Sequence, residues 1–491
     1  MDLRTKIIKS TFWYTGTRVW IQVVSWTVTL LLARTLAPED YGLFAMAFSI
    51  ITLMELFQEF GVGVTIVQRP SFSARQINTM FWALFAASVV IVALTFVIAR
   101  PVASFYDEPR LTWIIRVLSL IFLSNSLGTI PYSLLTKEID FRKRSVAEAL
   151  GVVVSCGISL VLAYTGYGVW ALVLGQLARS SVFSLTLFIS SKWLPGFQMS
   201  LAEMRDILKF SLRVAAASAL GSLSDSFNSV IVGRFLGGYN LGLYSMAVGL
   251  GKSNPLHKLS TGVINQLSLP LFSNLQQDKH SLRKYFLRIT KYLAIISLPM
   301  QLGMALVGHD LILLLLSEKW LPIVGLFQVF SIGGLFSIIV LPSYPLLTAR
   351  GRADLTFQYS CLSSFVISLV YLVGSQWGLG GLAMGWLAIF PVLRLYLLWL
   401  ALNEIGVSCR SYVRNILTPL ISGSVMTLVV FGSQMLTQEL VVPERLFINV
   451  AMGAAAYSVC LLFVDKQLVH ELKMITAELF VRSTERVISG A

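Results

Sequence analysis

Thr11, Thr15, Arg18, Gln22, Ser25 and Thr29 recur at spacings of 4, 3, 4, 3 and 4. That spacing puts them on one face of an α-helix over a rise of about 27 Å. Two hundred residues later Ser211, Ser218, Ser222, Asp225 and Ser229 repeat the stripe. Two matching polar faces suit a shared hydrophilic path, although small polar residues also serve as contacts between packed helices. The apolar runs around them also hold Arg18, Arg34, Arg116, Arg179, Arg234, Lys252, Lys258 and Arg394, against Glu55, Glu59 and Asp225. A charge at bilayer depth costs at least ~2.5–3.5 kcal/mol, so it should face protein or water. The cationic excess suits an anionic ligand, because arginine forks match phosphate oxygens. Arg18, Arg213, Lys252 and Lys258 are the expected anion contacts, and Gln22, Ser25, Ser218 and Ser222 the expected hydrogen-bonding contacts. Arg34 and Arg234 read better as snorkelling residues or as ties for the turns that follow them.

Glu55 and Glu59 lie one turn apart on one face. With Asp225 they are the candidates for carrying a proton or a cation; equally, the two glutamates neutralise a cavity cation such as Arg18. Gly251–Lys258 (GKSNPLHK) sets Asn254-Pro255 inside an apolar run, which predicts a bend carrying Lys252 and Lys258. No catalytic set is visible. Cys156, Cys361, Cys409 and Cys460 have no metal or disulfide spacing, and the four histidines form no ligand pattern. No nucleophile–base set, phosphate loop or zinc motif occurs, so neither an enzyme nor a bound metal or cofactor is expected.

Lipid is the solvent these residues require. Of 491 residues 56% are hydrophobic and 13% charged, with mean hydropathy +0.76; a soluble protein carries about 25% charged residues. Apolar runs of about 20 residues predict fourteen membrane-spanning helices, near 12–35, 41–66, 79–99, 112–135, 146–164, 168–190, 211–235, 241–270, 289–313, 323–348, 355–376, 380–402, 415–437 and 446–464. The net charge of +14 would suggest nucleic acid in a soluble protein. Here the basic residues cluster in alternate loops and at both ends; the opposite loops hold Arg100, Arg110, Lys319 and Arg445. That asymmetry puts both termini in the cytoplasm and removes the nucleic-acid reading. The first apolar run is too long for a cleavable signal and lacks a small-residue cleavage site.

The chain also repeats itself. RTLAPEDYGLFAMA at 34–47 is answered by RFLGGYNLGLYSMA at 234–247; Leu134-Leu135-Thr136 and Gly166-x-Gly168-x-x-Ala171 recur 212 residues later. Two homologous halves with a path between them are the expected organisation. Residues 1–190 form the first six-helix lobe, 191–210 a cytoplasmic linker, and 211–402 the second lobe. Residues 403–464 form an accessory helix pair and 465–491 a cytoplasmic tail. The change of offset from 200 to 212 is expected in the basic stretch Asn274–Lys291.

LLARTLAPEDYGLF, Phe60–Pro70 (FGVGVTIVQRP), Leu134–Ser145 (LLTKEIDFRKRS) and Ser317–Gly334 (SEKWLPIVGLFQVFSIGG) resemble the polysaccharide transporters of the multidrug/oligosaccharidyl-lipid/polysaccharide superfamily. Within it, the chain is most similar to the colanic-acid-type flippases of exopolysaccharide and O-antigen repeat units. The resemblance runs along nearly the whole chain. It implies fourteen helices in two six-helix lobes plus a final pair, in the bacterial inner membrane. It implies that an undecaprenyl-pyrophosphate-linked oligosaccharide crosses to the periplasmic leaflet by alternating access through a cationic cavity between the lobes. Partners would be that lipid-linked oligosaccharide, membrane lipids and a polysaccharide polymerase or export complex. Related lipid II flippases carry a helix-1 arginine in Ser-Arg-Val, and Thr17-Arg18-Val19 is similar; Val24 stands at their next arginine. A cation-coupled multidrug antiporter using Glu55, Glu59 and Asp225 is the alternative, set back by the lack of an acid in helix 1. A scaffold for a polysaccharide synthase has no use for the paired polar stripes.

Overall fold

The computed structural model describes residues 3–59, 62–68, 72–138, 140–197, 201–251 and 255–465, with backbone alone over 3–15, 201–223 and 255–260 and at 56, 59, 64, 67–68, 262–263 and 265–266. Every regular element among them is helical. In chain order the first helices are α1 (Leu3–Thr35), α2 (Pro38–Glu59), α3 (Val62–Gln68), α4 (Ala74–Phe105), α5 (Leu111–Ser119), α6 (Ile121–Lys137), α7 (Phe141–Tyr164) and α8 (Trp170–Ser191). They are followed by α9 (Leu201–Gly251), α10 (Pro255–Asn274), α11 (Lys279–Leu306) and α12 (Gly308–Leu315). A 3-10 turn at Glu318–Ile323 then leads to α13 (Val324–Val340), α14 (Ser343–Ala349), α15 (Ala353–Gly374) and α16 (Gly378–Ile405). The last two described helices are α17 (Cys409–Leu436) and α18 (Val442–Val464). Nine helical stretches among the described residues are long and apolar enough to cross a membrane. The protein is an all-α, multi-pass membrane protein.

Local chemistry explains where helices start. Ser73 and Gln76 form a reciprocal capping box ahead of α4, while Asp140, Asp278 and Ser408 cap α7, α11 and α17 through their side chains. The turn between α1 and α2 is made by Pro38, whose fixed φ suits the first helical position. Its repeat partner is made differently: α9 runs on through the expected spans and bends at Gly237, with φ 80° and ψ 174°. Only glycine takes that backbone geometry without strain. Helix also begins at Leu201, inside the segment expected to be a linker, because no glycine or proline interrupts Leu201–Phe210.

The extra residues of the second repeat do not lie in the basic stretch Asn274–Lys291. Five residues, 106–110, separate α4 from α5, whereas seventeen, 307–323, separate α11 from α13. The difference equals the change of offset, and α12 fills most of it. Periodicity overlooked α12 because it is short, apolar and continuous with α11.

The chain packs as two units. One holds Met1–Met246, Leu316–Ile323 and Ser360–Trp386; its core includes Val62, Met80, Phe81, Leu84 and Ile130. The other holds Ala247–Leu315, Val324–Tyr359 and Leu387–Ala491, with Val307, Met426, Val430, Tyr457 and Leu461 in its core. Within this second unit α12 packs on α18, and Arg445 donates from Nε to Asp310 at 2.7 Å and from Nη2 to its other oxygen. Large apolar residues face outward mid-helix, Val97 and Leu428 at 73% exposure among them. Some polar groups inside pair across helices: Ser433 donates to Asn449 Oδ1 at 2.6 Å, and Tyr457 to the Ile295 carbonyl at 2.9 Å. This is the pattern of a bundle dissolved in lipid.

Candidate functional site

Polar residues of five helices in the first unit converge on a cavity of about 760 Å³. Heptad-like spacing selects them. Asn125, Thr129, Tyr132, Ser133 and Thr136 share one face of α6, and Gln176, Arg179, Ser180 and Phe183 one face of α8. Helix α1 contributes Arg18, α2 contributes Glu55 and Gln58, and α7 contributes Glu148. The volume falls within the ~300–1,000 Å³ typical of ligand pockets.

Two polar connections define its walls. Arg18 Nη1 lies 3.3 Å from Glu148 Oε1, with the arginine side chain 47% exposed and the glutamate 21%. Ser180 Oγ donates to Asn125 Oδ1 at 2.7 Å, and Asn125 Nδ2 donates to Glu55 Oε1 at a long 3.4 Å. One chain of contacts thereby joins α8, α6 and α2. Gln58 instead turns into the packing, donating to Ser88 Oγ at 2.8 Å and the Phe122 carbonyl at 2.6 Å. At one side the Arg144 guanidinium covers the Tyr132 ring at 4.1 Å, and Phe183 tilts against that ring with centroids 6.3 Å apart. The charged lining among the described residues is two arginines, Arg18 and Arg179, and two glutamates, Glu55 and Glu148. No group of histidine, cysteine and carboxylate side chains among the described residues could hold a metal ion.

Of the residues selected from sequence, Arg18 and Glu55 meet in this cavity. Gln22 and Ser25 sit half-buried on α1 outside its lining, and the Ser25 carbonyl accepts from Thr29 Oγ1 at 2.8 Å. Asp225 is exposed on α9, its carbonyl accepting from Ser229 at 3.1 Å. The side chains of Arg213, Ser218, Ser222, Lys258 and Glu59 lie outside the described residues, as does Lys252 altogether. Sequence reasoning missed Asn125, Glu148, Gln176 and Ser180. The three- and four-residue spacing of polar positions in α6 and α8 was the available signal, masked by the stronger stripe of α1.

The repeat motif itself makes a second feature of the same unit. A methyl placed on Gly42 would stand 1.7 Å from the Gly238 carbonyl oxygen, and one on Gly242 would stand 1.8 Å from that of Pro38. Positions 38 and 42 contact 242 and 238, so the contact is its own image under the 200-residue offset, as in an isologous interface. Flanking contacts follow the same relation. Arg234 Nη1 pairs with Asp107 at 2.6 Å, and Lys319 Nζ donates to the Arg34 and Leu36 carbonyls at 2.8 and 2.7 Å. Positions 107 and 319 differ by the second offset, 212. Trp320 Nε1 donates to the Ala33 carbonyl at 2.7 Å and packs edge-on to Tyr41. Arg234 therefore ties α9 to the connection between α4 and α5. The crossing lies at the end of these helices remote from the basic loops.

The chain is similar to known proteins. The chain is 26% identical over 409 residues to the teichuronic acid biosynthesis protein TuaB of Bacillus subtilis (strain 168), covering 82% of this chain and 84% of that protein. It is 26% identical over 423 residues to the lipopolysaccharide biosynthesis protein WzxC of Escherichia coli (strain K12), covering 85% and 86%. The fold superposes on the lipid II flippase MurJ in an inward closed conformation with TM-score 0.76, over 93% of this chain and 99% of that one, at 14% identity. The sequence profile of one family matches residues 31–325, more than half the chain, and the protein belongs to that family, the polysaccharide biosynthesis proteins.

Proposed function

We propose that this protein is a flippase, not an enzyme, and moves undecaprenyl-pyrophosphate-linked oligosaccharide repeat units across the bacterial inner membrane for exopolysaccharide or O-antigen assembly. One observation carries the reading: a polar cavity occupies the half of the helices that faces the basic loops, while backbone contact at Gly42 and Gly242 closes the other end. A path sealed at one end and hydrophilic at the other is one state of an alternating-access cycle. The membership of the polysaccharide biosynthesis family supports the cargo, and the MurJ likeness supports the fold.

In this reading the chain crosses the membrane fourteen times. Helices α2–α3, α5–α6 and α13–α14 each make one crossing, and α9 makes one up to Gly237 and shares the next with α10. Both termini are cytoplasmic, and a polysaccharide polymerase or export complex receives the product. Arg18, Arg213, Lys252 and Lys258 neutralise the pyrophosphate; Gln22, Ser25, Ser218 and Ser222 bond to sugar hydroxyls. Glu55, Glu59 and Asp225 are the positions for a coupling ion.

The test is made in cells lacking the protein, by assaying secreted polymer and the leaflet in which lipid-linked oligosaccharide accumulates. Polymer is lost and the intermediate is trapped on the cytoplasmic face. Normal polymer with raised drug sensitivity would replace this reading by the multidrug antiporter.

A further inference from the structure

Arg18 Nη1 meets Glu148 Oε1 at 3.3 Å in the wall of the cavity formed by α1, α2, α6, α7 and α8, and the arginine side chain is 47% exposed there. A pair this open adds little to the packing of α1 on α7. It does change what Arg18 presents to an entering group. A guanidinium holds a phosphate through charge-assisted hydrogen bonds. A carboxylate in contact with the same guanidinium repels that phosphate, the more so in a partly dehydrated cavity. The two anions compete for one cation. Other charges border the same space: Glu55 accepts from Asn125 Nδ2 at 3.4 Å, Arg179 lines it from α8, and the Arg144 guanidinium lies on the Tyr132 ring at 4.1 Å and donates to its hydroxyl. Of these three arginines Arg18 is the one in ion-pair contact with a carboxylate among the described residues. The counter-ion is thus set against the arginine expected to take the anion. A carrier that returns empty has a use for it, because a charge at bilayer depth is costly until it is paired.

Resting on the flippase reading, we infer that Glu148 is a displaceable counter-ion. It holds Arg18 while the cavity is empty and yields it to a phosphate of the entering headgroup. By competing for Arg18 it keeps binding weak enough for release on the far side. Glu148 is a positioning residue, acting through Arg18 without touching the cargo.

The experiment measures equilibrium binding of undecaprenyl pyrophosphate and of undecaprenol to the full chain in lipid nanodiscs. The wild-type protein binds the pyrophosphate more tightly than the alcohol. Glu148→Gln tightens pyrophosphate binding about fivefold, the factor that matches an exposed ion pair at the upper end of its range. It leaves undecaprenol binding alone. Glu148→Asp keeps the charge and stays within about twofold of wild type. In an Arg18→Gln background Glu148→Gln has no further effect, because nothing is left to compete for. Polymer export by Glu148→Gln cells falls although binding is tighter, since affinity gained in this way appears as slower release. Weaker or unchanged pyrophosphate binding by Glu148→Gln, or normal export, overturns the inference and leaves the flippase reading standing. So does an equal tightening in the Arg18→Gln background, the signature of a general effect of charge. Equal binding of the two lipids by the wild-type protein would instead remove the flippase reading on which the inference rests.

Discussion

Arg18 stands where two kinds of observation meet. The polar stripe selected it, and the fold sets it in a cavity opposite Glu148 at 3.3 Å. An ion pair with one partner 47% exposed is worth about 0–1 kcal/mol, so it contributes little to holding α1 against α7. Arg18→Ala is therefore expected to abolish polymer export while protein abundance and thermal stability in detergent stay near wild type. Export at normal levels would take Arg18 out of the headgroup site. Arg445 is the contrasting case. Its partner Asp310 is only 8% exposed in the side chain, and removing Arg445 leaves that carboxylate with His309 Nδ1 at 3.3 Å and less compensation for its burial. Arg445→Ala should lower the unfolding temperature by several degrees, and Arg445→Ala with Asp310→Ala should recover most of that loss. A thermal melt of the purified variants decides it.

At the scale of elements, the α2–α9 crossing is where the internal repeat acquires a physical purpose. Two helices can bring carbonyl oxygens into the space of a Cβ only where that Cβ is missing. Gly42 and Gly242 are the glycines that permit it, each against the other repeat's turn. Gly42→Ala or Gly242→Ala must push the turns apart, so each should hold this end open. Leu36→Cys, placed in a cysteine-free background at a position 3% exposed, should then react about tenfold faster with a membrane-impermeant maleimide, and export should fall about as much. Gly432→Ala is the comparison. Nothing lies within 4 Å of that position, and replacing a mid-helix glycine is expected to raise stability by up to ~1 kcal/mol and leave export alone. Unchanged labelling in both gate variants would refute the closure. Element α12 has a separate purpose: it supplies Asp310, through which α18 docks, so the added length of the second repeat and the accessory helices are one construction.

At the scale of the molecule, orientation follows from the uneven distribution of lysine and arginine. A single cysteine at Pro109, in the short connection between α4 and α5, should be labelled by the impermeant maleimide in intact spheroplasts. One at Lys279, at the start of α11, should be labelled only after the membrane is permeabilised. The opposite pattern would invert the topology and with it the direction of transport.

The all-helical membrane class and the recurrence of the Gly42 and Gly242 motifs were legible because each is a property of local order: hydropathy over about 20 residues, or identity at a constant offset. Arg18 and Glu55 could be selected on those grounds alone. The sequence could not show that Glu148, a lone acid near the start of α7, is the group Arg18 meets. Nor could it show that Asn125 and Ser180, 55 residues apart, bond at 2.7 Å across α6 and α8. Those contacts depend on how helices rotate about their axes when packed, and in lipid that rotation is decided by small steric fits and interhelical hydrogen bonds more than by hydropathy. The same holds for Gly42 and Gly242. Their recurrence was visible in the chain, but tertiary structure alone reveals that each glycine faces the other repeat's backbone, because a contact across 200 residues leaves no periodic trace in either segment.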